Sequence, residues 1–210
     1  MTVVSLKNEN SRGDGVVKVE FSDGTSVVFS TDYLPEGELL LEEQDFGSWV
    51  GRELSSGEEE VFLRAAIRYQ AEKVALRLIA RAEQNSLGLI AKLERRGYDA
   101  AAVKAVVSHL LDRNLVNDGR YAELWIRSRL ASGKAVSPRW LLVSLGKRGI
   151  DKSSSHRALA RVLDDETEYV LLLKYVEQSG VSENKKTRSL RADLKYEGFS
   201  FETLNRFFND

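Results

Sequence analysis

The chain has 210 residues, 42% of them apolar, which is enough to bury a hydrophobic core and excludes a disordered composition. It contains no cysteine, so disulfides, thiolate nucleophiles and cysteine-based zinc sites are excluded and a reducing compartment is expected. Its net charge of -1 combines an acidic part, with 4 basic and 14 acidic residues in 1–60, and a basic part, with 27 and 18 in 61–210.

The amino-terminal segment has the pattern of a small β-rich module and no sign of membrane targeting. It lacks a basic region followed by an apolar run, and no stretch of the chain reaches the length of a membrane span, so we expect a cytoplasmic protein. Alternating apolar residues in 17–21 and 27–29 flank Asp23-Gly24, a pair that favours a tight hairpin turn. The predicted module covers residues 1–50 and either packs on the helices that follow or moves relative to them.

A long helical pattern follows this module. Glu58, Glu59 and Glu60 suit the first turn of a helix that begins near Ser56, because acidic side chains stabilise helix amino termini. The pattern is long for a globular helix, so we expect a joint near residues 70–73. The joint separates a helical connector, residues 51–72, from a repeat region.

The repeat region contains three turns of the same composition. In each, a helix ends in Leu-x-x-x-Gly, an apolar residue follows, and an Asp or Ser can cap the next helix through its side-chain oxygen. The glycines are 52 and 49 residues apart (149 − 97 and 198 − 149), which indicates a repeat of about 50 residues over 73–116, 117–165 and 166–210. The three turns are Leu93 with Gly97-Tyr98-Asp99, Leu145 with Gly149-Ile150-Asp151, and Leu194 with Gly198-Phe199-Ser200.

Each repeat has apolar residues at helical spacing in three consecutive segments, so we expect three helices in each. The predicted fold is mainly α: tandem three-helix, helix-turn-helix-like repeats, arranged as an elongated array, with a small N-terminal β-rich module. The apolar residues assigned to the core on the first helix of the three repeats are Leu76 and Ile79; Leu124 and Ile126; and Leu171, Leu172 and Tyr175.

Residues that could carry out catalysis are sparse. His109 and His156 have no neighbouring carboxylate in the sequence and are predicted to be surface positions on helices. The acidic cluster Asp164, Asp165, Glu166 and Glu168 could hold magnesium, but a solvated connector between two repeats is the favoured interpretation. We therefore predict no enzyme activity, no metal and no cofactor; a nuclease or another small enzyme is the alternative.

Basic residues recur at matching places in successive repeats. Residues 73–161 hold 18 basic and 7 acidic side chains, a net of +11, which favours a polyanion or an acidic protein groove as partner. An ordinary solvated helical surface is the alternative. The predicted binding surface is a stripe made of Arg77, Arg81, Lys92, Arg95, Arg96, Arg120, Arg127, Arg129, Lys134, Arg139, Lys147 and Arg148.

The stretch from Asn117 to Ile150 resembles the central signature of the RecX family of regulatory proteins. It has an acidic-basic-aromatic-Ala start, an Arg-Ser-Arg helix end, a Gly-Lys loop, and a Pro-Arg helix that closes in Lys-Arg-Gly-Ile. Residues 75–99 look like the first repeat of that family and residues 189–208 like its more variable third. The chain departs from the family pattern at Asn85, Gly88, Trp140 and Leu142, where basic, acidic or polar residues are expected.

The resemblance implies a protein that binds the RecA filament on DNA, along the helical groove of the filament, and restrains its recombinase activity and growth in DNA repair. The expected partners are that filament and single- or double-stranded DNA, and the expected state is a monomer. A helical DNA-binding protein that acts without a recombinase is the alternative. The residues that the resemblance carries over are Arg120, Tyr121, Arg127, Arg129, Lys134, Arg139, Lys147 and Arg148.

Overall fold

The computed structural model describes residues 1–9, 15–35, 46–179 and 187–209. These residues form two compact units. Unit 1 contains Met1–Ala82 and Leu89–Leu115, and unit 2 contains Glu83–Gly88 and Val116–Asp210. The predicted boundaries between connector and repeats stay predictions.

Unit 1 begins with a three-stranded antiparallel sheet in the order β1 (Val3–Asn8), β2 (Val16–Phe21) and β3 (Ser26–Ser30). The predicted hairpin is confirmed, because β2 pairs with β3 and Gly24 has a φ of +84° in the turn that joins them. A 3₁₀ turn, Thr31–Tyr33, and the short helix α1, Phe46–Trp49, follow. Part of the predicted connection, residues 36–45, lies outside the described residues.

The sheet packs on helix α2 (Ser56–Ile79) through an aromatic cluster. The ring of Phe29 stacks on Phe62 with 5.1 Å between centroids, and Trp49 meets Phe62 edge-on at 5.8 Å. Both phenylalanines are at most 1% exposed. The β-rich module therefore has its core in common with the helix that follows it.

Helix α2 begins as predicted, because Ser55 and Glu58 form a capping box at its first turn. The joint expected near residues 70–73 is wrong: the helix continues without interruption to Ile79, and Ala71 and Ala75 are buried along it. Small buried side chains permit the close packing of α4 (Ala100–Asp112) against α2. Helix α3 spans Ser86–Glu94.

Unit 2 contains the remaining helices of the described chain, and its core is formed by their apolar faces. Helices α5 and α6 pack on α7, and α8 and α9 pack on α10. The mainly α fold with tandem three-helix repeats is confirmed. The bounds are α5 Asp118–Ala131, α6 Pro138–Gly146, α7 Lys152–Val162, α8 Asp165–Gln178, α9 Arg188–Tyr196 and α10 Phe201–Asn209.

The three predicted turns are present. Gly97, Gly149 and Gly198 have φ values of +88°, +81° and +89°, the left-handed conformation that ends a helix. The side chains of Asp99 and Asp151 then cap α4 and α7 by accepting hydrogen bonds from backbone amides three residues on. The Ser200 hydroxyl caps α10 in the same way by accepting from the Thr203 amide.

Two leucines that were assigned to the core are exposed. Leu76 is 39% exposed on α2 and Leu124 is 46% exposed on α5, whereas Ile126, two residues further along α5, is fully buried. The prediction was wrong for Leu124 because residues two apart on a helix point about 200° apart. Trp125 and Ala122 fill the position on the buried side that Leu124 was expected to hold.

The prediction for one of the two histidines is also wrong. His156 is exposed, as expected. The side chain of His109 is only 20% exposed, and its Nε2 lies 3.6 Å from carboxylate oxygens of both Asp32 and Glu72. These neighbours could not be predicted from the sequence near His109, because Asp32 lies in the 3₁₀ turn and Glu72 lies on α2. Burial raises the pKa of Tyr33, whose ring lies against His109, and the charge of Glu72 adds to this effect.

The acidic cluster is only partly the solvated connector that was expected. The Asp164 side chain caps α8 by accepting from the Thr167 amide. Glu168 is 9% exposed and accepts hydrogen bonds from Ser200 and Thr203 at the start of α10. Among the described residues, no group of three His, Asp or Glu side chains could hold a metal ion. None of the described helices is both long and apolar enough to cross a membrane.

Candidate functional site

Two tryptophans on neighbouring helices of unit 2 form the centre of the candidate site. The rings of Trp125 on α5 and Trp140 on α6 stack with 5.9 Å between centroids and 22° between planes. Trp125 is buried at 9% exposure, whereas Trp140 is 45% exposed. An amide hydrogen bond from Trp140 to the Ser137 hydroxyl, 3.1 Å long, fixes the first turn of α6 beneath the exposed ring.

Two arginine side chains also contact the Trp125 ring. The guanidinium carbon of Arg148 lies 4.4 Å from the centre of the Trp125 ring, and that of Arg129, one turn along α5, lies 5.2 Å away. Cations at these distances are attracted to the negative face of an indole ring. We call Trp125, Trp140, Arg129 and Arg148 together the tryptophan patch.

Arg148 is held in place through both its side chain and its backbone. Its guanidinium donates to the Ser144 carbonyl at 2.7 Å, and its own carbonyl accepts from the Asn85 amide group at 2.5 Å. Asn85, one of the departures from the family pattern, therefore has a structural partner within unit 2.

A second cation and aromatic ring lie next to the tryptophan patch. The guanidinium carbon of Arg139, at the start of α6, lies 3.8 Å from the centre of the Tyr196 ring, which is 65% exposed at the end of α9. The Arg139 amide donates to the Glu197 carbonyl at 2.9 Å, and the Ser137 hydroxyl donates to the Glu197 carboxylate at 2.5 Å. These bonds join the turn of the third repeat to the helix start of the second.

A cleft of about 560 Å³ opens beside Trp140. Its walls include Arg129, Lys134, Tyr175 and the Glu197 carboxylate. Burial raises the pKa of the Tyr175 phenol, and the charge of Glu197 adds to this effect, so the phenol stays neutral at physiological pH. The cleft thus combines a flat aromatic side, two cations and one carboxylate.

Similar proteins were found by sequence and by structure, although no family model matches the chain. The chain is 34% identical over 110 residues to a RecX regulatory protein of Treponema pallidum (strain Nichols) and 29% identical over 152 residues to one of Syntrophotalea carbinolica. A crystal structure of a RecX regulatory protein superposes with a TM-score of 0.66 and covers 100% of this chain and 99% of its own.

The chain belongs to the RecX family.

The extent of the match differs between the RecX relatives. The aligned part spans 66% of the length of the Treponema relative and 52% of this chain, against 98% and 69% for the Syntrophotalea relative. The superposed crystal structure is 17% identical to this chain, so it shows the fold alone. The RecX structure from Lactobacillus salivarius superposes with a TM-score of 0.53 over 68% of this chain. The relatives are regulatory proteins by name.

The structure brings together part of the basic surface that was predicted from the RecX resemblance. Arg129 and Arg148 lie on Trp125, Lys134 lines the cleft, and Arg139 lies on Tyr196. Lys147 is exposed and follows Trp140 by seven residues, about two helical turns, which places it on the same side of α6. Among the described residues, no carboxylate lies within 4.0 Å of these five cations, which are Arg129, Lys134, Arg139, Lys147 and Arg148.

Arg120 and Arg127 do not join this group. Both lie on the opposite side of α5 from Trp125, since they are separated from it by about 140° and 200° around the helix. Arg120 pairs with Glu83 at 2.8 Å, and Arg127 lies 3.9 Å from Glu123. Each of these two arginines therefore has a carboxylate neighbour in unit 2.

Five of the predicted cations belong to unit 1. The guanidinium groups of Arg77, Arg95 and Arg96 donate to the carbonyl oxygens of the residues four positions earlier in the chain. Arg81 is exposed, and Lys92 is half-buried. The place of these five cations in the predicted binding surface stays a prediction.

Sequence reasoning missed the aromatic half of the site. Trp140 was noted only as a departure from the RecX pattern, and Trp125 and Tyr196 were not singled out. The spacing of Trp125 and Arg129, four residues apart on one helix, is a signal that could have indicated their contact. The stacking of Trp125 on Trp140 leaves no such local signal, because it depends on how α5 packs beside α6.

Proposed function

We propose that this chain binds the filament of a RecA-type recombinase on DNA and restrains the recombinase and ATPase activity and the growth of that filament during DNA repair. The observation that carries the proposal is the group of five cations of unit 2 without carboxylate partners, on a chain whose relatives are named RecX regulatory proteins. A cationic surface of this kind attracts phosphate groups and acidic protein grooves.

The proposed mechanism is regulation by binding, without a chemical reaction. Neighbouring repeats present surfaces to successive recombinase subunits and to the DNA that they enclose. A ligand that binds one state of a filament more tightly than another shifts the filament toward the preferred state. The activity of the filament is restrained when the preferred state hydrolyses ATP slowly or grows slowly.

A second candidate function is direct DNA binding without a recombinase. The exposed Trp140 ring beside Arg139 and Lys134 favours it, since nucleic-acid surfaces combine aromatic rings with cations. This function requires a strong and salt-sensitive affinity for DNA when no recombinase is present. The regulator, by contrast, requires an effect on the recombinase that DNA affinity alone does not produce.

The decisive experiment measures ATP hydrolysis by a RecA-type recombinase on single-stranded DNA while this protein is added. We expect the wild type to lower the rate. The variant with Arg139, Lys147 and Arg148 changed to Ala is expected to need a concentration about tenfold higher for half-maximal inhibition, because it lacks three of the five cations. A second variant with only Arg139 and Lys147 changed keeps Arg148 on Trp125 and guards against loss of folding.

The matched control changes Arg157 and Arg161 to Ala. Both are exposed arginines on α7 outside the predicted surface, so this control removes two positive charges at another place, as many as the variant of Arg139 and Lys147 removes. Inhibition by this control should equal that of the wild type. The absence of inhibition by the wild type at any ratio to recombinase contradicts the proposed function. Equal inhibition by all variants leaves the function in place and removes the chosen surface.

A further inference from the structure

The exposed face of Trp140 has the properties of a preformed stacking surface. Its ring is 45% exposed, high for a side chain that usually buries most of its area. The ring stacks on Trp125, which is itself 9% exposed and covered by Arg148 and Arg129. Because the ring is already ordered, a planar ligand that binds it has little side-chain entropy to overcome.

We propose that Trp140 is the stacking platform for an unpaired base of single-stranded nucleic acid. This inference rests on the proposed function and specifies the ligand of the same site. Every base has a flat face that can stack on an indole ring, and neighbouring cations can hold the phosphates on either side. The cations available on this side of α6 are Arg139, beside Trp140 in the chain, and Lys147, about two turns further along.

The geometry favours unpaired bases over duplex DNA. In a duplex both faces of each base are covered by its neighbours, so a protein ring reaches a base face only where the strand is single or opened. The cleft beside Trp140, about 560 Å³, is within the range of ligand pockets and can receive a base with its sugar.

The cleft also favours a base over an acidic peptide. The Glu197 carboxylate forms part of its wall, together with Tyr175, whose phenol is neutral. A second carboxylate inside the cleft would be repelled by Glu197, whereas the amino or imino group of a base can donate a hydrogen bond to it. Arg129 and Lys134 also line the cleft, so its wall offers two cations for phosphate groups besides this carboxylate.

The test compares two labelled oligonucleotides of equal length and charge, oligothymidylate and a strand with abasic sites, by fluorescence anisotropy with the full chain. We expect Trp140→Ala to weaken binding of oligothymidylate by about 5- to 150-fold, the range for loss of one stacked base. Trp140→Phe should keep most of the affinity. Binding of the abasic strand should be the same for the wild type and Trp140→Ala, because its phosphates are unchanged.

Two further variants control for folding and for surface apolarity. Trp140→Leu keeps an apolar side chain of moderate size without an aromatic face, so it should behave like Trp140→Ala even if the alanine variant is unstable. Leu124→Ala removes a side chain of similar exposure, 46%, about 100° around α5 from Trp125, and should change neither affinity. Thermal unfolding followed by circular dichroism confirms that each variant is folded.

Three outcomes would overturn the inference. In the first, Trp140→Ala and Trp140→Leu bind oligothymidylate as tightly as the wild type. In the second, they bind both strands more weakly by the same factor. In the third, they weaken binding only of a labelled glutamate-rich peptide, which assigns the ring to an acidic protein partner. The recombinase assay separates this inference from the proposed function. If the wild type inhibits the ATPase but the Trp140 variants do not distinguish the two strands, only the stacking inference is rejected. If the variants distinguish the strands but the wild type does not inhibit the ATPase, only the proposed function is rejected.

Discussion

Gly198 lies so close to Arg139 that a Cβ atom built on the glycine would be 3.2 Å from the Arg139 amide nitrogen. That amide donates a hydrogen bond to the Glu197 carbonyl, 2.9 Å long, so a shift away from the glycine strains this bond. Gly198 also has a φ of +89°. The turn of the third repeat therefore depends on glycine for two separate reasons.

Gly198→Ala is expected to lower the free energy of unfolding more than Gly97→Ala does. Both residues have a left-handed φ, which costs an alanine about 1–2 kcal/mol. Nothing lies within 4 Å of a Cβ on Gly97, so only Gly198 adds the cost of overpacking, about 1 kcal/mol or more. Urea unfolding of the two variants measures the difference. Equal losses would show that the close approach to Arg139 carries no energetic cost.

Glu168→Ala is expected to destabilise the protein by about 2 kcal/mol. The buried carboxylate accepts from the Ser200 amide at 2.9 Å, the Ser200 hydroxyl at 2.6 Å and the Thr203 hydroxyl at 2.8 Å, and hydrogen bonds to charged groups are the stronger kind. Glu166→Ala is the control, because Glu166 is 71% exposed and pairs only at the surface with Arg206, which contributes less than about 1 kcal/mol. Thermal or urea unfolding gives both values, and similar losses would contradict the capping role of Glu168.

The sequence predicts the features of this fold that depend on neighbours in the chain. The glycine turns, the caps at Asp99 and Asp151 and the hairpin at Asp23-Gly24 each need only a few consecutive residues, and the structure has all of them. A stretch with apolar residues on several sides is less informative. On α5 the pattern did not show that Leu124 is exposed, since apolar neighbours occur on both sides of it.

Contacts between distant segments could not be predicted. Glu168 lies 32 residues from Ser200, and nothing in the sequence distinguishes a buried capping carboxylate from the solvated acidic residues around it. His109 reaches Asp32 and Glu72 only because α4, α2 and the 3₁₀ turn meet. The basic residues of the candidate site were predictable from charge. Which of them contact Trp125 (Arg129 and Arg148 but not Arg127) depends on the packing of α5 beside α6.

Acid should weaken the protein partly through two helix caps, Asp151 and Asp164. Hydrogen bonds from the side chain and amide of Ser154 hold the pKa of Asp151 below its ordinary value of 3.8, and those of Thr167 do the same for Asp164. A carboxyl whose pKa is lower in the folded state contributes stability above the unfolded-state value and loses it as the pH falls through the folded-state value. Both caps therefore contribute their full stability at neutral pH and lose it progressively as the pH falls from about 3.8 through their lower folded-state pKa values.

The double variant Asp151→Asn, Asp164→Asn tests this account. Asparagine caps helices about as well as aspartate but does not titrate in this range. We expect the free energy of unfolding to fall less steeply in the variant than in the wild type between about pH 5 and pH 2.5. Urea unfolding at several pH values measures the slopes. Identical slopes would show that these two carboxyl groups contribute nothing to the acid sensitivity.

The salt dependence of binding to single-stranded DNA should report which cations contact phosphates. Each phosphate neutralised on a single strand contributes about -0.7 to the slope of log K against log salt concentration, through release of counterions. Arg139→Gln should therefore reduce the magnitude of the slope by about 0.7, whereas Arg157→Gln, on α7 outside the predicted surface, should leave it unchanged. Glutamine keeps much of the side-chain length, so the loss of charge is the main difference. The same reduction in both variants would mean that binding follows the net charge of the chain and that the cations beside the tryptophan patch have no special position on the strand.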